Sequence, residues 1–218
     1  MSRLTRPQAV VYDWDGTLVN CWPTIHAALN VTLKAMGHEP WTYEETLVRV
    51  RKSMRDSFPE LFGDRWEEAG RIFYDHINEN HLKGIEIKPG AEELLRLLAA
   101  QGVYQSVVSN KQGALLRAEI AHLGWAGYFP TAIGAGDAPH DKPAPDPMNM
   151  ALAGSGINTG NGVWYVGDTE IDMEFAAASK CVPVLVRESP LSAELLNNIE
   201  PAAYVRTCNE LVSRITLL

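Results

Sequence analysis

The sequence has little cysteine, fewer bases than acids and no long apolar run. Its three cysteines, Cys21, Cys181 and Cys208, lie far apart and form no C-x-x-C pair. Neither a disulfide framework nor a zinc ribbon is expected, and a reduced, cytoplasmic setting is the simplest one. Lys and Arg number 19 against 27 Asp and Glu, a net charge of −8, which argues against nucleic acid or an anionic membrane as partner. No stretch approaches the ~20 apolar residues that cross a bilayer. The first apolar run, Ala9-Val10-Val11-Tyr12, stops at Asp13 and does not read as a signal peptide. Gly134-Ala135-Gly136 and Gly154-Ser155-Gly156 lack the third glycine of a dinucleotide fingerprint. The six histidines show no metal-ligand spacing and are expected at the surface or in packing. There is no internal repeat and no low-complexity segment.

What is present fits a globular protein: 46% hydrophobic and 21% charged residues over 218 positions, enough for one large domain or one domain with an insertion. Compact apolar runs read as buried strands at Gln8 to Asp13, Val103 to Ser109, Thr131 to Gly134, Gly162 to Gly167 and Val182 to Val186. A weaker one spans Ala202 to Val205. Helical patterns lie between them at Ala91 to Gln101, Lys111 to Leu123, Pro147 to Ala153 and Glu170 to Ser179. This alternation predicts an α/β fold, a doubly wound, Rossmann-like parallel sheet covered on both faces.

The stretch from Cys21 to Lys83 breaks the alternation, with helical patterns and no strand. Ile25, Leu29, Thr32, Leu33 and Met36 share one helical face, with Pro23 in the first turn and Gly37 after the last. Thr42 and Glu45 form a capping-box pattern before Leu47, Val50 and Met54, and Asp64 and Glu67 repeat it before Trp66, Ala69, Phe73 and Ile77. The expectation is an inserted all-helical cap over residues 20–83, hinged near Asn20 and Gly84, with residues 1–19 and 84–218 forming the core. Trp22, Trp41 and Trp66 read as packing.

Four patterns carry chemistry. Asp13-Trp14-Asp15-Gly16-Thr17 follows the first strand, where open α/β sheets bind ligands. Two carboxylates so spaced can hold a divalent cation and divide the roles of nucleophile and proton donor. An EF-hand is excluded, because Leu18 stands where that loop needs glycine. Ser109 and Asn110 end a second strand and can donate to a phosphoryl oxygen. Lys142, in Asp141-Lys142-Pro143-Ala144-Pro145-Asp146-Pro147, sits in a proline-stiffened loop. Gly167-Asp168-Thr169-Glu170-Ile171-Asp172 follows another strand and opens a helix, adding two carboxylates suited to Mg2+.

In this order the four patterns resemble the haloacid-dehalogenase-like hydrolase superfamily from Val10 to about Val186. The inserted helices resemble its branch that includes phosphoglycolate phosphatases. The resemblance implies a Mg2+-dependent phosphatase of small phosphorylated metabolites acting through an aspartyl-phosphate. Asp13 would be nucleophile and metal ligand. Asp15 would be general acid and base, with its carbonyl on the metal. Ser109, Asn110 and Lys142 would hold the phosphoryl group, Asp168 would be a metal ligand, and Asp172 would support the site through Lys142 or a metal-bound water. A monomer or homodimer is expected. A phosphosugar mutase of the β-phosphoglucomutase kind is one alternative, although those relatives tend to carry Val where Thr17 stands. A non-catalytic binding protein on the same fold is another. A dehalogenase or phosphonate hydrolase would leave Asp15 superfluous.

The chain departs from its relatives at three points. Trp14 stands where Phe or Leu is commoner, Asn20 replaces an Asp, and Arg51-Lys52 replace a glycine-containing turn. Arg49, Arg51, Lys52 and Arg55 form a basic cluster on a stretch predicted to be helical. Arg51 and Lys52 are therefore candidate specificity residues for an anionic leaving group.

Overall fold

A computed structural model describes residues 4–197 and 199–218; the N-terminal reading over residues 1–3 lies outside them. Six parallel strands form the main sheet: β1 (Ala9–Tyr12), β4 (Tyr104–Gln112), β5 (Thr131–Ala135), β6 (Val163–Gly167), β7 (Val182–Val186) and β8 (Ala203–Val205), in the order β5-β4-β1-β6-β7-β8. The central strand β1 is buried on both faces, which is why it reads as a continuous apolar run rather than an alternating one. Val10 and Tyr12 face one layer, with Leu94, Leu98, Trp164 and Leu211. Ala9 and Val11 face the other, with Met148, Tyr165 and Phe175. The covering helices are α5 (Ala91–Ala100), α6 (Gly113–His122), α7 (Asp146–Ala151), α8 (Glu170–Ala178) and α9 (Cys208–Thr216).

Between β1 and α5 lie four helices, α1 (Trp22–Ala35), α2 (Tyr43–Arg49), α3 (Met54–Phe62) and α4 (Trp66–Asn80). They share an apolar cluster of Leu29, Leu33, Phe58, Phe62 and Ala69. A two-stranded ribbon that the sequence reading missed, β2 (Val19–Asn20) with β3 (Glu86–Ile87), ties the two ends of this segment together. No helix among the described residues is long and apolar enough to cross a membrane.

Two local features differ from expectation. The capping box of Thr42 and Glu45 forms as read, with Glu45 N–H donating to Thr42 Oγ1 and Thr42 N–H to Glu45 Oε2. The one at Asp64 and Glu67 does not. Gly63–Arg65 makes a tight 3-10 turn, and Arg65 bonds Glu68 at 2.8 and 2.9 Å. The basic stretch is also not one helix. The chain is extended at Val50, and Ser53 starts a new helix with its hydroxyl donating to Asp56. Such local side-chain bonds compete with helix continuation. The four basic residues therefore do not share one helix. Instead Arg49 pairs with Glu45, Arg51 with Glu170, Lys52 with Glu60 and Arg55 with Asp141.

β4 runs three residues beyond the predicted strand end, through Asn110, Lys111 and Gln112. Its register against β5 is regular to Val108–Ile133 and resumes at Gln112–Ala135, so the ladder bulges at residues 109–111. A bulge re-aims side chains at a strand end, and these three border the cavity described below. Gly134 of β5 permits the crossing: a Cβ there would press on the Gly113 backbone and on the Lys111 carbonyl. Because the opposing atoms are backbone, Gly134→Ala is expected to destabilise the protein by ~1–3 kcal/mol. A melting point lowered by several degrees in a thermal scan is the expected reading; an unchanged one would show that the bulge has slack.

Candidate active site

The turn after β1 is built by its own backbone. Gly16 N–H donates to the Val19 carbonyl at 2.7 Å, and Leu18 N–H donates to the Trp14 carbonyl at 3.1 Å. Gly16 sits at φ +91, and a Cβ there would collide with the Asp168 carboxylate. Glycine is thus required both by the conformation and by the approach of Asp168.

Asp13, Ser109, Lys142 and Asp172 are brought together at the carboxyl ends of β1, β4 and β6. Lys142 is buried, and its Nζ lies 2.6 Å from Asp13 Oδ1, 2.8 Å from Asp172 Oδ1 and 2.9 Å from the Tyr165 hydroxyl. Tyr165 donates onward to the Val108 carbonyl. The loop carrying Lys142 is clipped by Asn110, whose side-chain amide donates to the Lys142 carbonyl and whose oxygen accepts from the Lys142 N–H. Asn110 therefore positions Lys142, with one amide hydrogen left over. Asp172 works with both oxygens. Oδ1 takes Lys142, and Oδ2 accepts from Asp168 N–H, Thr169 N–H and Thr169 Oγ1, capping α8. Thr17, not among the expected site residues, donates from Oγ1 to Asp168 Oδ1 at 2.9 Å.

Oxygens of Asp13, Asp168 and Asp172 lie within 4.8 Å of one another. Burial first, then Asp172 and Asp15, push the Asp13 carboxyl up to about 7 against the opposing pull of Lys142. Burial and the neighbouring carboxylates also hold Asp168 well above the ordinary carboxylate range. Asp172 goes the other way, since Lys142 and the Thr169 bonds outweigh its burial. A hard-oxygen set with more negative charge than Lys142 can offset fits a small divalent cation such as Mg2+. The Asp15 side chain is not in this triad and lies with Cys21 and Glu119.

Those three do not make a second metal site. The Lys111 ammonium already sits among them, 3.0 Å from Asp15 and 2.6 Å from Glu119. His81, expected at the surface or in packing, is buried with Nδ1 3.0 Å from Glu119. Burial, with the Asp15 charge next, raises the Cys21 thiol, which disfavours the reactive thiolate.

Above the carboxylates is a cavity. Its upper wall includes Trp22, Ile25, Trp41, Met54, Phe58 and Tyr74; its floor includes Asp13, Asp15, Ser109 and Lys142. Trp22 and Trp41 thus face this space as well as packing. Arg51 and Lys52 border it too, Arg51 with its Nε 2.9 Å from Glu170.

Residues 10–186 match the family described as haloacid dehalogenase-like hydrolase. A phosphoglycolate phosphatase from Cereibacter sphaeroides is 33% identical over 180 residues, covering 78% of this chain and 80% of its own length. One from Neisseria meningitidis is 32% identical over 189 residues, covering 81% and 79%. A solved haloacid dehalogenase-like family protein from Streptococcus pneumoniae superposes with a TM-score of 0.82 at 21% identity over 98% of this chain and 99% of its own, a likeness of fold.

The raised Asp13 carboxyl makes a prediction for metal-free protein. Its folded pKa, about 7, lies above the ordinary 3.8, so the folded state holds this proton more tightly than the unfolded chain does. The resulting stability is full below the unfolded value and is lost as pH rises through the folded one. Between pH 4 and 7 in EDTA, wild type should therefore lose stability relative to Asp13→Asn, whose amide cannot ionise. Added Mg2+ should remove that loss near neutrality. Parallel pH curves for the two proteins would contradict the electrostatic account.

Proposed function

We propose that this chain, which belongs to the haloacid dehalogenase-like hydrolase family, is a Mg2+-dependent phosphatase of small phosphorylated metabolites that works through an aspartyl-phosphate. The observation that carries the reading is the Lys142 ammonium held between Asp13 and Asp172 beside Ser109. A carboxylate that must approach a phosphate dianion needs such a neighbour. In this reading residues 20–83 are the cap and residues 1–19 and 84–218 the core.

Ser109, the free amide hydrogen of Asn110 and Lys142 hold the phosphoryl oxygens. Asp13 Oδ attacks phosphorus while the ester P–O bond breaks, and Asp15 gives its proton to the departing alkoxide. Asp15 then takes a proton from water, whose oxygen attacks the phosphorus of the aspartyl-phosphate; inorganic phosphate leaves and Asp13 is restored. Asp13, Asp168 and the Asp15 carbonyl would hold Mg2+, which would supply the positive charge that screens two anions from one another. The apolar walls keep bulk water out. In a mutase, Asp15 would take its proton from a second sugar hydroxyl instead of from water. Thr17, in place of the valine of those relatives, bonds Asp168 here and favours the hydrolase reading.

Asp13→Asn should lower hydrolysis of p-nitrophenyl phosphate on the order of 10³-fold or more without loss of fold. EDTA should abolish activity and Mg2+ restore it, while Ca2+, with its looser coordination, should not. Turnover by Asp13→Asn near the wild-type rate would sink the mechanism.

For the leaving group, we propose that Arg51 and Lys52 are the specificity residues. Each borders the cavity, and each now holds a glutamate that an anionic leaving group can displace. Arg51→Ala and Lys52→Ala should cost phosphoglycolate and pyrophosphate ~10-fold or more in kcat/KM, about 1.4 kcal/mol. A neutral monoester should be nearly unaffected. Equal losses on all three, or none, would leave these residues as surface charge.

A further inference from the structure

A buried charge cluster beside Asp15 has no part in the chemistry described so far. Glu119 on α6 is completely buried. Its oxygens accept from Lys111 Nζ at 2.6 and 2.8 Å, from the Trp14 indole N–H at 2.7 Å and from Cys21 Sγ at 3.7 Å, and His81 Nδ1 lies 3.0 Å from Oε1. Lys111 is nearly as buried, and its remaining contact is Asp15 Oδ1 at 3.0 Å. Burial works against its charge, but the neighbouring carboxylates outweigh it and hold Lys111 above the ordinary lysine value.

A buried ion pair is a poor route to stability, since apolar residues of similar volume usually do as well. What this cluster achieves is geometric. Glu119, gripped by four donors from different parts of the chain, fixes the Lys111 ammonium, and the ammonium anchors one oxygen of Asp15. The second oxygen is then held for the leaving group. Two of the four donors come from the ends of the helical segment: Cys21 immediately precedes α1, and His81 immediately follows α4. The grip is therefore complete only with that segment in place over the sheet. Trp14, which departs from the commoner Phe or Leu, supplies a donor neither of those could offer.

We propose that Lys111, clamped by Glu119, is a positioning residue that holds Asp15 in line to protonate the leaving group. The inference rests on the role given to Asp15 under the proposed function. It concerns placement: a general acid must lie within hydrogen-bond reach of the oxygen it protonates.

Leaving-group dependence tests it. p-Nitrophenyl phosphate releases a phenolate that needs no proton, whereas p-nitrobenzyl phosphate, nearly the same in shape, releases an alkoxide that does. The kcat/KM value reports the steps up to departure of the alcohol. In Lys111→Met it should fall ~10-fold or more for the benzyl ester and stay within about twofold for the phenyl ester. Lys111→Arg should recover part of the benzyl activity. Glu119→Gln, which keeps the volume but removes the charge and one acceptor, should show the same selective loss at smaller size, and carries the test if Lys111→Met fails to fold. Equal losses on both esters, or no loss on either, would overturn the positioning role. Asp15→Asn is run alongside. If it shows no preference for the benzyl ester, the acid–base reading of Asp15 fails; if it does and the Lys111 and Glu119 variants do not, only the positioning inference fails.

Discussion

The site depends on a buried ammonium that cannot exist there without its carboxylates. Lys142 Nζ has Asp13, Asp172 and Tyr165 around it, and each belongs to an element whose position is thereby fixed. Asp13 immediately follows β1, Tyr165 lies within β6, and Asp172 is bonded into the first turn of α8. Removing Lys142 would leave two buried carboxylates without a counter-charge, a cost of about 3–5 kcal/mol. The loop bearing Lys142 is clipped to β4 by two Asn110 bonds, so the same ammonium aligns the ends of three strands. Asp172 shows how little is left to chance, because one carboxylate both caps a helix and neutralises the lysine.

That ammonium does not balance the site. Asp13 and Asp168 are both held above ordinary carboxylate values by burial and by each other's neighbours. Thr17 supports Asp168 with one hydroxyl bond only. The imbalance is local, built from residues that converge from opposite ends of the chain, and it is what makes the place receptive to a small cation and a phosphate. Perturbed carboxylates in a cleft are the expected mark of a functional site. The stability given up there is recovered in the two apolar layers that flank β1.

Much of this was legible in the sequence because it is local. Buried parallel strands read as apolar runs, and Asp13-Trp14-Asp15-Gly16-Thr17 and Gly167-Asp168-Thr169-Glu170-Ile171-Asp172 are contiguous. What was not legible depends on tertiary partners. The basic stretch scans as one helix, yet Ser53 restarts the chain and Arg51 and Arg55 are drawn to Glu170 and Asp141, far away in sequence. The pattern at Asp64 and Glu67 has the right letters for a cap but is overridden by the tight turn at Gly63. Lys111 and Glu119 were missed because the first fell beyond the predicted strand end and the second was passed over within a helix. One signal was available: Glu119 occupies the same face as Leu115, Leu116 and Ile120, all buried. A glutamate in an apolar stripe is informative, since charged residues are almost never fully buried unpaired.

The arginines of the helical segment then acquire a second meaning. Arg55 grips Asp141 through two 2.6 Å bonds, and Asp141 immediately precedes Lys142. Arg51 reaches Glu170, which opens the helix that Asp172 caps. A bidentate pair with one partner fully buried is of the stronger kind, unlike the exposed Arg49–Glu45 pair, which contributes little. Each contact ends within two residues of a group in the site, Lys142 in one case and Asp172 in the other. Lifting the helices off the sheet would break both pairs, along with the Cys21 and His81 contacts to Glu119. The helical segment is thus tied to the phosphate side through Arg51 and Arg55 and to the Asp15 side through Glu119. An alteration of its seating should be felt on both sides of the reacting phosphorus at once.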